Sequence, residues 1–418
     1  MDPRERMIER LTAFYREAGS DAPSSPSTWT VEARRRAGWL QPVLASVALI
    51  VLVIGAVVGL RVAREQANRN APKPTPTAIS SPSAAPSETP SPTPSPTPLS
   101  NWITRRVPLG GQTSYGQGMA LDSSAVFALY NPTSNNPHDT SQTTLAGIDR
   151  TTGKIVTNGP FAGGFQLLEV GAGLWVVGGM SGGPTVDKYW MDLVDPVTLQ
   201  VKFRMWVPGR PGHTVFTLPQ LTGTSNILWL GYGQQLYRLD PGTGQTMATV
   251  NVSGTVTSVS LDPSGQRLYV GVEPAPAQYI QDQVLELDGN TGQRLASAST
   301  GGAGLGGPHV VGSADGVWIA YATGMMGQVE HRDAANLAVL PNASQDGHTN
   351  GISVVVGSGT VWFVDGSAQQ LSCADPKTGT VAASTELSFT SGLVTDSKGT
   401  YAGVRDEVDF LQPKSCPH

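Results

Sequence analysis

Short segments that alternate apolar and polar residues, separated by clusters of turn residues, fill about the last three hundred residues of the chain. The clearest copy has strand-like alternation over residues 256–261, a turn over 262–265, and two further strand-like segments over 268–272 and 284–287. The turn over residues 288–292 then leads into a fourth strand. Alternation with a period of two residues predicts β-strands. In the tight turns the Asp side chain caps backbone amides, and Gly adopts the positive φ that the turn requires. The segment therefore predicts a four-stranded antiparallel sheet.

This unit recurs seven times, with an aromatic residue in the second strand and an Asp-x-x-Thr-Gly-like turn after the third. The aromatics are Phe127, Trp175, Trp229, Tyr269, Trp318, Trp362 and Tyr401. The turns begin at Asp149, Asp195, Asp240, Asp288, Asp333, Asp375 and, in degenerate form, Gln412. Successive turns are 37 to 48 residues apart, and a strand repeat near 45 residues is typical of a β-propeller. We therefore predict an all-β fold, a seven-bladed β-propeller over residues 101–418, with the aromatics packed between blades.

The last repeat lacks an outer strand, because nothing after Pro413 can supply one. Residues 102–109, in contrast, form a strand-like segment with no inner partner of its own. We predict that this segment completes the seventh blade, which closes the ring and removes an open sheet edge. Cys373 and Cys416, the two cysteines of the chain, fall in adjacent repeats. We predict a disulfide between them that clasps the closing blade with roughly 4 kcal/mol on the chain-entropy model; two unpaired buried thiols are the alternative.

The chain before the repeats is built differently. Residues 39–60 form an uncharged stretch of 22 residues, long enough to cross a bilayer core of about 30 Å. We assign residues 39–62 to a single transmembrane helix, and Arg34, Arg35 and Arg36 before it favour a cytoplasmic N-terminus. A cleaved signal peptide is the alternative, but its polar n-region would be 38 residues long. The propeller is then expected outside the cytoplasm at the cell membrane.

Two polar segments flank this predicted span. Residues 1–38 contain a predicted amphipathic helix over about 3–18, with Met7, Leu11 and Phe14 on one face. The helix is either a frayed or membrane-resting tail or a docking site for a cytoplasmic partner. Residues 63–100 are rich in Pro, Ser and Thr, with ten prolines between residues 71 and 98. Such a composition cannot bury a core, and it predicts a disordered, extended linker.

Charge narrows the range of partners. Residues 101–418 carry 16 Lys and Arg against 24 Asp and Glu, so the predicted propeller is acidic. An acidic domain has no electrostatic reason to bind nucleic acid, and we expect no nucleic-acid partner.

The repeats also resemble a known family. The sequence SLDPSGQRLYVGV at residues 260–272, followed by VLELDGNTGQRLAS at 284–297, resembles the repeat of the YVTN β-propeller family. The segment AGIDRTTGKIV at residues 146–156 is similar to quinoprotein-like propellers, but Thr157 and Asn158 stand where their docking tryptophan is expected. The resemblance implies an extracytoplasmic propeller that serves as a binding platform. We expect no quinone and no other cofactor.

Candidate ligand-binding residues lie where the repeats differ. Insertions between second and third strands occur at residues 131–144, 178–189 and 273–283, with a shorter one at 323–328. In a four-stranded meander these loops emerge on the same face as the connections between blades, and loops on a rigid scaffold commonly carry function. The candidates on this face are His138, Tyr189, His213, Tyr279, His309 and His348. We expect His213 and His348 in connections between blades.

Two interpretations of these candidates compete. The histidines either bind a ligand or metal, or satisfy backbone groups at the entrances to strands. The sequence contains no motif for a catalytic nucleophile, phosphate loop or paired carboxylates, so we name no catalytic residue. The first functional hypothesis is a non-enzymatic binding, sensor or scaffold module for a protein, glycan or small ligand. The second is a metal-dependent, lactonase-like hydrolase that uses the propeller channel.

Overall fold

Antiparallel β-strands make up the regular structure of the residues that the computed structural model describes. These residues are 102–113, 118–133, 142–161, 163–171, 173–179, 188–208, 218–274, 281–301, 307–323, 326–349, 352–357, 360–365, 370–377, 381–386 and 390–411. All of them fall within one compact unit, Ser91–His418. Within these ranges no helix is long and apolar enough to cross a bilayer. The predicted span, linker and N-terminal helix lie outside the described residues and stay predictions.

The strands follow one another in chain order with short connections. They are β1 (Ile103–Pro108), β2 (Gln112–Thr113), β3 (Met119–Leu121), β4 (Ala125–Asn131), β5 (Thr144–Asp149), β6 (Ile155–Asn158), β7 (Gly164–Val170), β8 (Gly173–Gly179), β9 (Tyr189–Val194), β10 (Val201–Trp206), β11 (Gln220–Thr224), β12 (Ile227–Tyr232), β13 (Gln235–Leu239), β14 (Thr246–Asn251), β15 (Thr255–Leu261), β16 (Arg267–Glu273), β17 (Gln283–Asp288), β18 (Arg294–Ser299), β19 (His309–Gly312), β20 (Gly316–Thr323), β21 (Met326–Asp333), β22 (Val339–Thr349), β23 (Ile352–Gly357), β24 (Thr360–Asp365), β25 (Gln370–Ala374), β26 (Val381–Glu386), β27 (Thr390–Asp396), β28 (Gly399–Val404) and β29 (Glu407–Leu411).

These strands form seven antiparallel sheets, which are the seven blades of a β-propeller. Blade 1 contains β2 to β6, with its inner strand in two pieces that both pair with β4. Blades 2 to 6 each consist of four consecutive strands, from β7–β10 to β23–β26. The predicted all-β, seven-bladed propeller is confirmed.

The seventh blade joins the two ends of the propeller. Its order is β27, β28, β29 and then β1, so the first strand is the outer strand of the last blade. The register pairs Ile103 with Leu411 and Pro108 with Glu407, and the Thr104 hydroxyl donates to the carbonyl of Phe410 at 3.0 Å. The prediction that residues 102–109 close the ring is therefore confirmed.

Seven apolar clusters hold the blades together, each lying between two neighbouring blades. Every cluster includes one of the seven repeated second-strand aromatics. All seven aromatics are buried, and six of them have no exposed surface. Truncating a buried aromatic to Ala typically costs about 3–5 kcal/mol, so the clusters are a principal stabilising element of the ring. The predicted packing role of the aromatics is confirmed.

The repeated Asp residues hold the turns between third and fourth strands. In blade 3 the Oδ1 atom of Asp240 accepts hydrogen bonds from the amides of Gly242 at 3.0 Å and Thr243 at 2.8 Å. Asp149, Asp195 and Asp288 accept equivalent bonds in their own turns. These bonds to the charged carboxylate lower the pKa of Asp195 to about 2. The Asp residues are turn caps, as the sequence predicts.

In blades 2 to 5 the last residue of this turn packs against the aromatic of the preceding blade. In blades 3 and 4 this residue is Gly244 or Gly292, with φ of 69° and 73°. A Cβ on Gly292 would lie 2.8 Å from Trp229, and one on Gly244 would lie 3.0 Å from Trp175. The indole of Trp229 also donates to the carbonyl of Gly289, in the same turn, at 2.7 Å. Glycine is therefore required at this position for two reasons: it tolerates the positive φ, and it has no side chain in the space that the indole occupies.

Blades 2 and 5 use leucine at this position. Leu199 and Leu337 have φ of 57° and 56°, an unfavourable conformation for leucine, and their side chains are buried. Leu199 shares a cluster with Phe127 of blade 1, and Leu337 shares one with Tyr269 of blade 4. At these four interfaces a tryptophan thus faces glycine, whereas the smaller Phe127 and Tyr269 face leucine. The leucine fills the volume that a smaller ring leaves empty.

The inner strands are joined around the channel by side chains that bond to the next strand. Gln166 in blade 2 donates to the carbonyl of Leu221 at 3.3 Å and accepts from its amide at 3.2 Å. In blade 4 the hydroxyls of Ser258 and Ser260 accept from Val310 and Gly312 of blade 5 at 3.0 and 2.9 Å. These bonds satisfy backbone groups that no sheet ladder reaches, because inner strands of neighbouring blades do not pair.

The size relation between aromatic and turn residue predicts a compensating pair of substitutions. Phe127→Trp should overpack its cluster, and Leu199→Gly should leave a cavity, each destabilising the fold by about 1–3 kcal/mol. The double variant recreates the Trp–Gly combination of blades 2 and 3. Its loss of unfolding free energy should therefore be at least about 1 kcal/mol smaller than the sum of the losses of the two single variants. Chemical denaturation measures the three values. Phe127→Trp combined with the distant Leu337→Gly is the control and should be additive; additivity in both pairs would contradict the relation.

Candidate functional site

One face of the propeller is formed by the hairpins between second and third strands together with the connections between blades; we call it the loop face. Hydrogen bonds join these two sets of segments. The amide of Phe161 donates to Thr143 at 2.6 Å, that of Val256 to Gly233 at 2.7 Å, and that of Thr113 to Arg405 at 2.6 Å. The first hairpins and the Asp turns lie at the opposite end, the turn face. The predicted placement of loops and connections on one face is therefore confirmed.

The hairpins on the loop face differ greatly in length. Long ones occupy residues 132–143 in blade 1, 180–188 in blade 2 and 274–282 in blade 4. Blades 3 and 7 have tight hairpins, in which Tyr232 pairs with Gln235 and Val404 with Glu407. Blade 5 is also tight, because β20 and β21 pair up to Thr323 and Met326. The predicted short insertion at residues 323–328 is thus wrong, and the pairing of these two strands accounts for the residues assigned to it.

Tyr189, the first residue of β9, belongs to the packing between blades 2 and 3. Its ring makes edge contacts with Phe165 and Tyr232 at centroid distances of 6.0 and 5.4 Å. The residue is buried, and burial raises the pKa of its hydroxyl. Its ring supports the base of the blade 2 hairpin.

His309 begins the inner strand β19, beside the connection from blade 4. Its residue is partly exposed, but the Nδ1 atom is buried and has no hydrogen-bond partner among the described groups. Burial lowers the pKa of the imidazole, so His309 is neutral near pH 7. The backbone groups at this strand entrance bond instead to Thr257 and Ser258, whose hydroxyls donate to Pro308 at 2.8 and 2.7 Å.

The other predicted candidates are not brought together by the described structure. His348 lies in β22, in backbone register with Gly327, and not in the connection after it, because the outer strand of blade 5 extends to Thr349. The strand pairing of residues 344–349 was not visible in the polar sequence NASQDGHT. His138, His213 and Tyr279 lie outside the described residues.

A cavity of about 400 Å³ lies at the root of the blade 1 hairpin. Gln142 and Thr144 line it from the hairpin side, and Asn158, Gly159 and Pro160 from the connection to blade 2. The wall presents amide and hydroxyl groups without a formal charge. Such a lining can form hydrogen bonds with a neutral polar ligand.

Asp282 is the residue of this face that the sequence did not single out. It ends the blade 4 hairpin, and only 3% of its surface is exposed. Burial, and secondarily the negative charge of Glu273 at the other end of the hairpin, raise the pKa of Asp282 to about 7. Burial also raises the pKa of Glu273. Asp282 therefore gains or loses its proton near neutral pH, a property that depends on packing and has no signal in the local sequence.

Other acidic residues and cysteines have structural surroundings. Asp122 caps its own first hairpin through the amides of Ser124 and Ala125 at 2.6 and 2.5 Å. Across the described ranges no group of three or more His, Cys, Asp and Glu is arranged to hold a metal ion. Cys373, buried in β25, is disulfide-bonded. Cys416 lies outside the described residues, so its pairing with Cys373 stays a prediction.

Comparison with known proteins shows the fold. No protein-family model and no curated protein matches the sequence. A chain of the mitotic checkpoint complex crystal structure is similar with a TM-score of 0.56 and 12% identity, covering 82% of this chain and 99% of that one. The WD40 domain of Toxoplasma gondii coronin gives a TM-score of 0.54 and 10% identity, covering 76% and 86% respectively. The protein therefore has a seven-bladed β-propeller fold with WD40-like structural neighbours.

Asp282 should make the stability of the propeller depend on pH near neutrality. Its ordinary pKa is 3.8 and its folded pKa about 7, so between these values the folded state holds a proton that the unfolded state has lost. Stability therefore falls as the pH rises from about 4 to 7. Asp282→Asn should therefore raise the Tm less at pH 5, where only part of this loss has developed, than at pH 8, where the loss is complete.

The control for this measurement is Asp195→Asn on the turn face. The hydrogen bonds to Asp195 lower its pKa to about 2, so its stabilising contribution is present above pH 4 and disappears towards pH 2. The substitution should therefore have no stabilising effect at pH 8. Equal Tm differences for Asp282→Asn at pH 5 and pH 8 would contradict the assignment.

Proposed function

We propose that this protein is a membrane-anchored, extracytoplasmic propeller of the YVTN repeat type. Its loop face binds a protein, glycan or small ligand without catalysing a reaction. The observation that carries the proposal is the separation of constant and variable parts. The repeated aromatics and Asp residues are used in packing and turns, whereas the long hairpins of blades 1, 2 and 4 all lie on the loop face.

The described parts of the loop face support recognition of a polar ligand. Blade 1 offers the neutral amide and hydroxyl lining of its cavity, and blade 4 offers the Glu273–Asp282 carboxyl pair. Blade 2 adds Trp206, which is 53% exposed, with the Lys188 ammonium 5.9 Å from its ring centroid. Exposed aromatic rings beside hydrogen-bonding groups suit both glycans and protein surfaces.

The path of the chain fits the proposed topology. In β1 the residue nearest the N-terminus, Ile103, pairs with Leu411 at the turn-face end, while Pro108 pairs with Glu407 beside the loop face. The chain thus enters the propeller at the turn face, opposite the proposed binding surface. The predicted span at residues 39–62 and the Pro-rich linker at 63–100 precede this entry point in the sequence. A partner at residues 3–18 would make the protein a sensor.

A metal-dependent hydrolase resembling lactonases is the second candidate. The observation that favours it is Asp282, because a carboxyl with a pKa near 7 is matched to general acid–base catalysis. The hydrolase hypothesis requires that Asp282→Asn abolish turnover of a lactone by the purified chain in the presence of divalent cations.

Site-specific photo-crosslinking in intact cells tests the binding proposal. A photoreactive residue at Pro132 or Lys188 on the loop face should give adducts, whereas one at Lys154 on the turn face should not. Replacing residues 132–143 with a two-residue Asn-Gly turn removes the long hairpin of blade 1. The yield of adducts at Lys188 should then fall, because part of the proposed binding surface is lost. External protease should remove the adducts if the propeller lies outside the cell. Equal adduct yields from both faces would contradict the proposal, as would lactone turnover that Asp282→Asn abolishes.

A further inference from the structure

A second cavity lies on the turn face, at the joint where β1 closes the ring. Its volume is about 240 Å³. Thr104 and Arg105 of β1, Arg150 of the blade 1 turn, and Lys398 and Thr400 of blade 7 line it. Three segments that are distant in sequence therefore meet here, and each contributes a cationic side chain. We call this the seam cavity.

Arg150 forms the inner wall of the seam cavity and its charge is already compensated. Its guanidinium forms a bidentate ion pair with Asp396 at 2.7 and 2.6 Å. It also donates to the Tyr401 hydroxyl at 2.8 Å and to the carbonyl of Asp122 at 2.9 Å. The Arg150 side chain is only 6% exposed. These contacts hold the Arg150 side chain in one position, because each of its three guanidinium nitrogens donates at least one hydrogen bond.

Neither of the other two cations forms a salt bridge with a described acidic side chain, although the charge of Arg105, after hydrogen bonds within the turn, helps to lower the pKa of Asp149. Arg105 donates to the carbonyl of Thr151 at 3.0 Å and packs over the Phe410 ring at 5.1 Å. Lys398 donates to the carbonyl of Ser123 at 2.6 Å. None of the ion pairs among the described residues includes either side chain. Since a guanidinium has five donors and an ammonium three, both retain donors for a ligand.

The carboxylates in the turns around the seam cavity are engaged by hydrogen bonds to other groups. The side chain of Asp149 accepts from Thr151 and Thr152 of its own turn, and that of Asp122 accepts from Ser124 and Ala125. Asp396 is held by Arg150. Two positive charges that form no salt bridge thus border one cavity of a domain whose overall charge balance is acidic. An anion is the ligand that this arrangement favours.

We propose that the seam cavity binds a phosphate or sulfate group, free or as a monoester, between the Arg105 guanidinium and the Lys398 ammonium. The planar guanidinium can bond two oxygens of a tetrahedral anion, and the ammonium supplies a point charge to a third. The cavity is larger than such an anion and leaves space for the group to which it is attached. Because Arg105 belongs to β1 and Lys398 to blade 7, the bound anion would fasten the closing strand.

Thermal unfolding of the full-length chain in detergent tests the proposal, with inorganic phosphate, sulfate and phosphoserine each compared with chloride at equal ionic strength. Binding to the folded state raises the Tm by mass action, so phosphate or sulfate should raise it by about 1 °C or more. Arg105→Gln and Lys398→Gln should each abolish the rise. A rise with phosphoserine identifies a monoester site, and its absence a site for the free anion.

The matched control is Lys154→Gln, because Lys154 is an exposed cation that follows the same blade 1 turn but does not line the cavity. This variant should keep the full rise in Tm. The readout is the difference between anion and chloride within each variant, so a lower starting Tm of Arg105→Gln does not affect it. An equal rise in all four proteins, or no rise in the unaltered chain, would overturn the proposal.

Discussion

The contact between a second-strand aromatic and the turn of the next blade is the interaction on which the propeller depends. It is found at the four interfaces from blade 1 to blade 5, where it buries large aromatic side chains and brings backbone of one blade against the ring of another. A blade by itself has two apolar faces and cannot be stable in water. Closing the ring removes both faces at once, which is why the last blade takes its outer strand from the start of the domain.

The contact also explains which departures from the repeat are tolerated. Glycine at the end of the turn is needed under Trp175 and Trp229, but leucine replaces it where the ring is smaller. A left-handed leucine costs about 1–2 kcal/mol, and burial of its side chain offsets that cost with about 1.5–3 kcal/mol. At the joint between blades 7 and 1, Arg150 takes a comparable place, 4.9 Å over the Tyr401 ring. These interfaces are thus filled by three kinds of combination, which are Trp with Gly, Phe or Tyr with Leu, and Tyr with Arg.

Much of the fold could be predicted from the sequence because its signals are local and repeated. The Asp turns, the aromatics and the closing strand all follow from short patterns, although Leu199 and Leu337 break the Gly rule. What could not be predicted depends on contacts between distant residues. The pairing of Arg150 with Asp396, 246 positions apart, and the burial of Asp282 have no local signal. His348 was placed in a connection because the polar end of β22 lacks the alternation that marks a strand.

The site was harder to predict than the scaffold for the same physical reason. Specificity on the loop face depends on hairpins whose composition follows no repeat, so only their position could be deduced. Tyr189 proved to support the blade 2–3 interface, while His309 lies at the face with a buried, unpartnered nitrogen. The seam cavity lies on the opposite face and uses the closing joint itself. Both proposed binding surfaces therefore require a closed ring.

Hydrogen exchange of the amides in β1 tests this closure most directly. If Ile103–Pro108 pairs with β29, as the register indicates, its bonded amides should exchange as slowly as those of β28, through opening of the whole domain. Mass spectrometry of the peptide that covers residues 102–109 measures this rate in the full-length chain. Exchange of this peptide at the rate of an unstructured segment, while β27 to β29 stay protected, would contradict the closed seven-bladed ring.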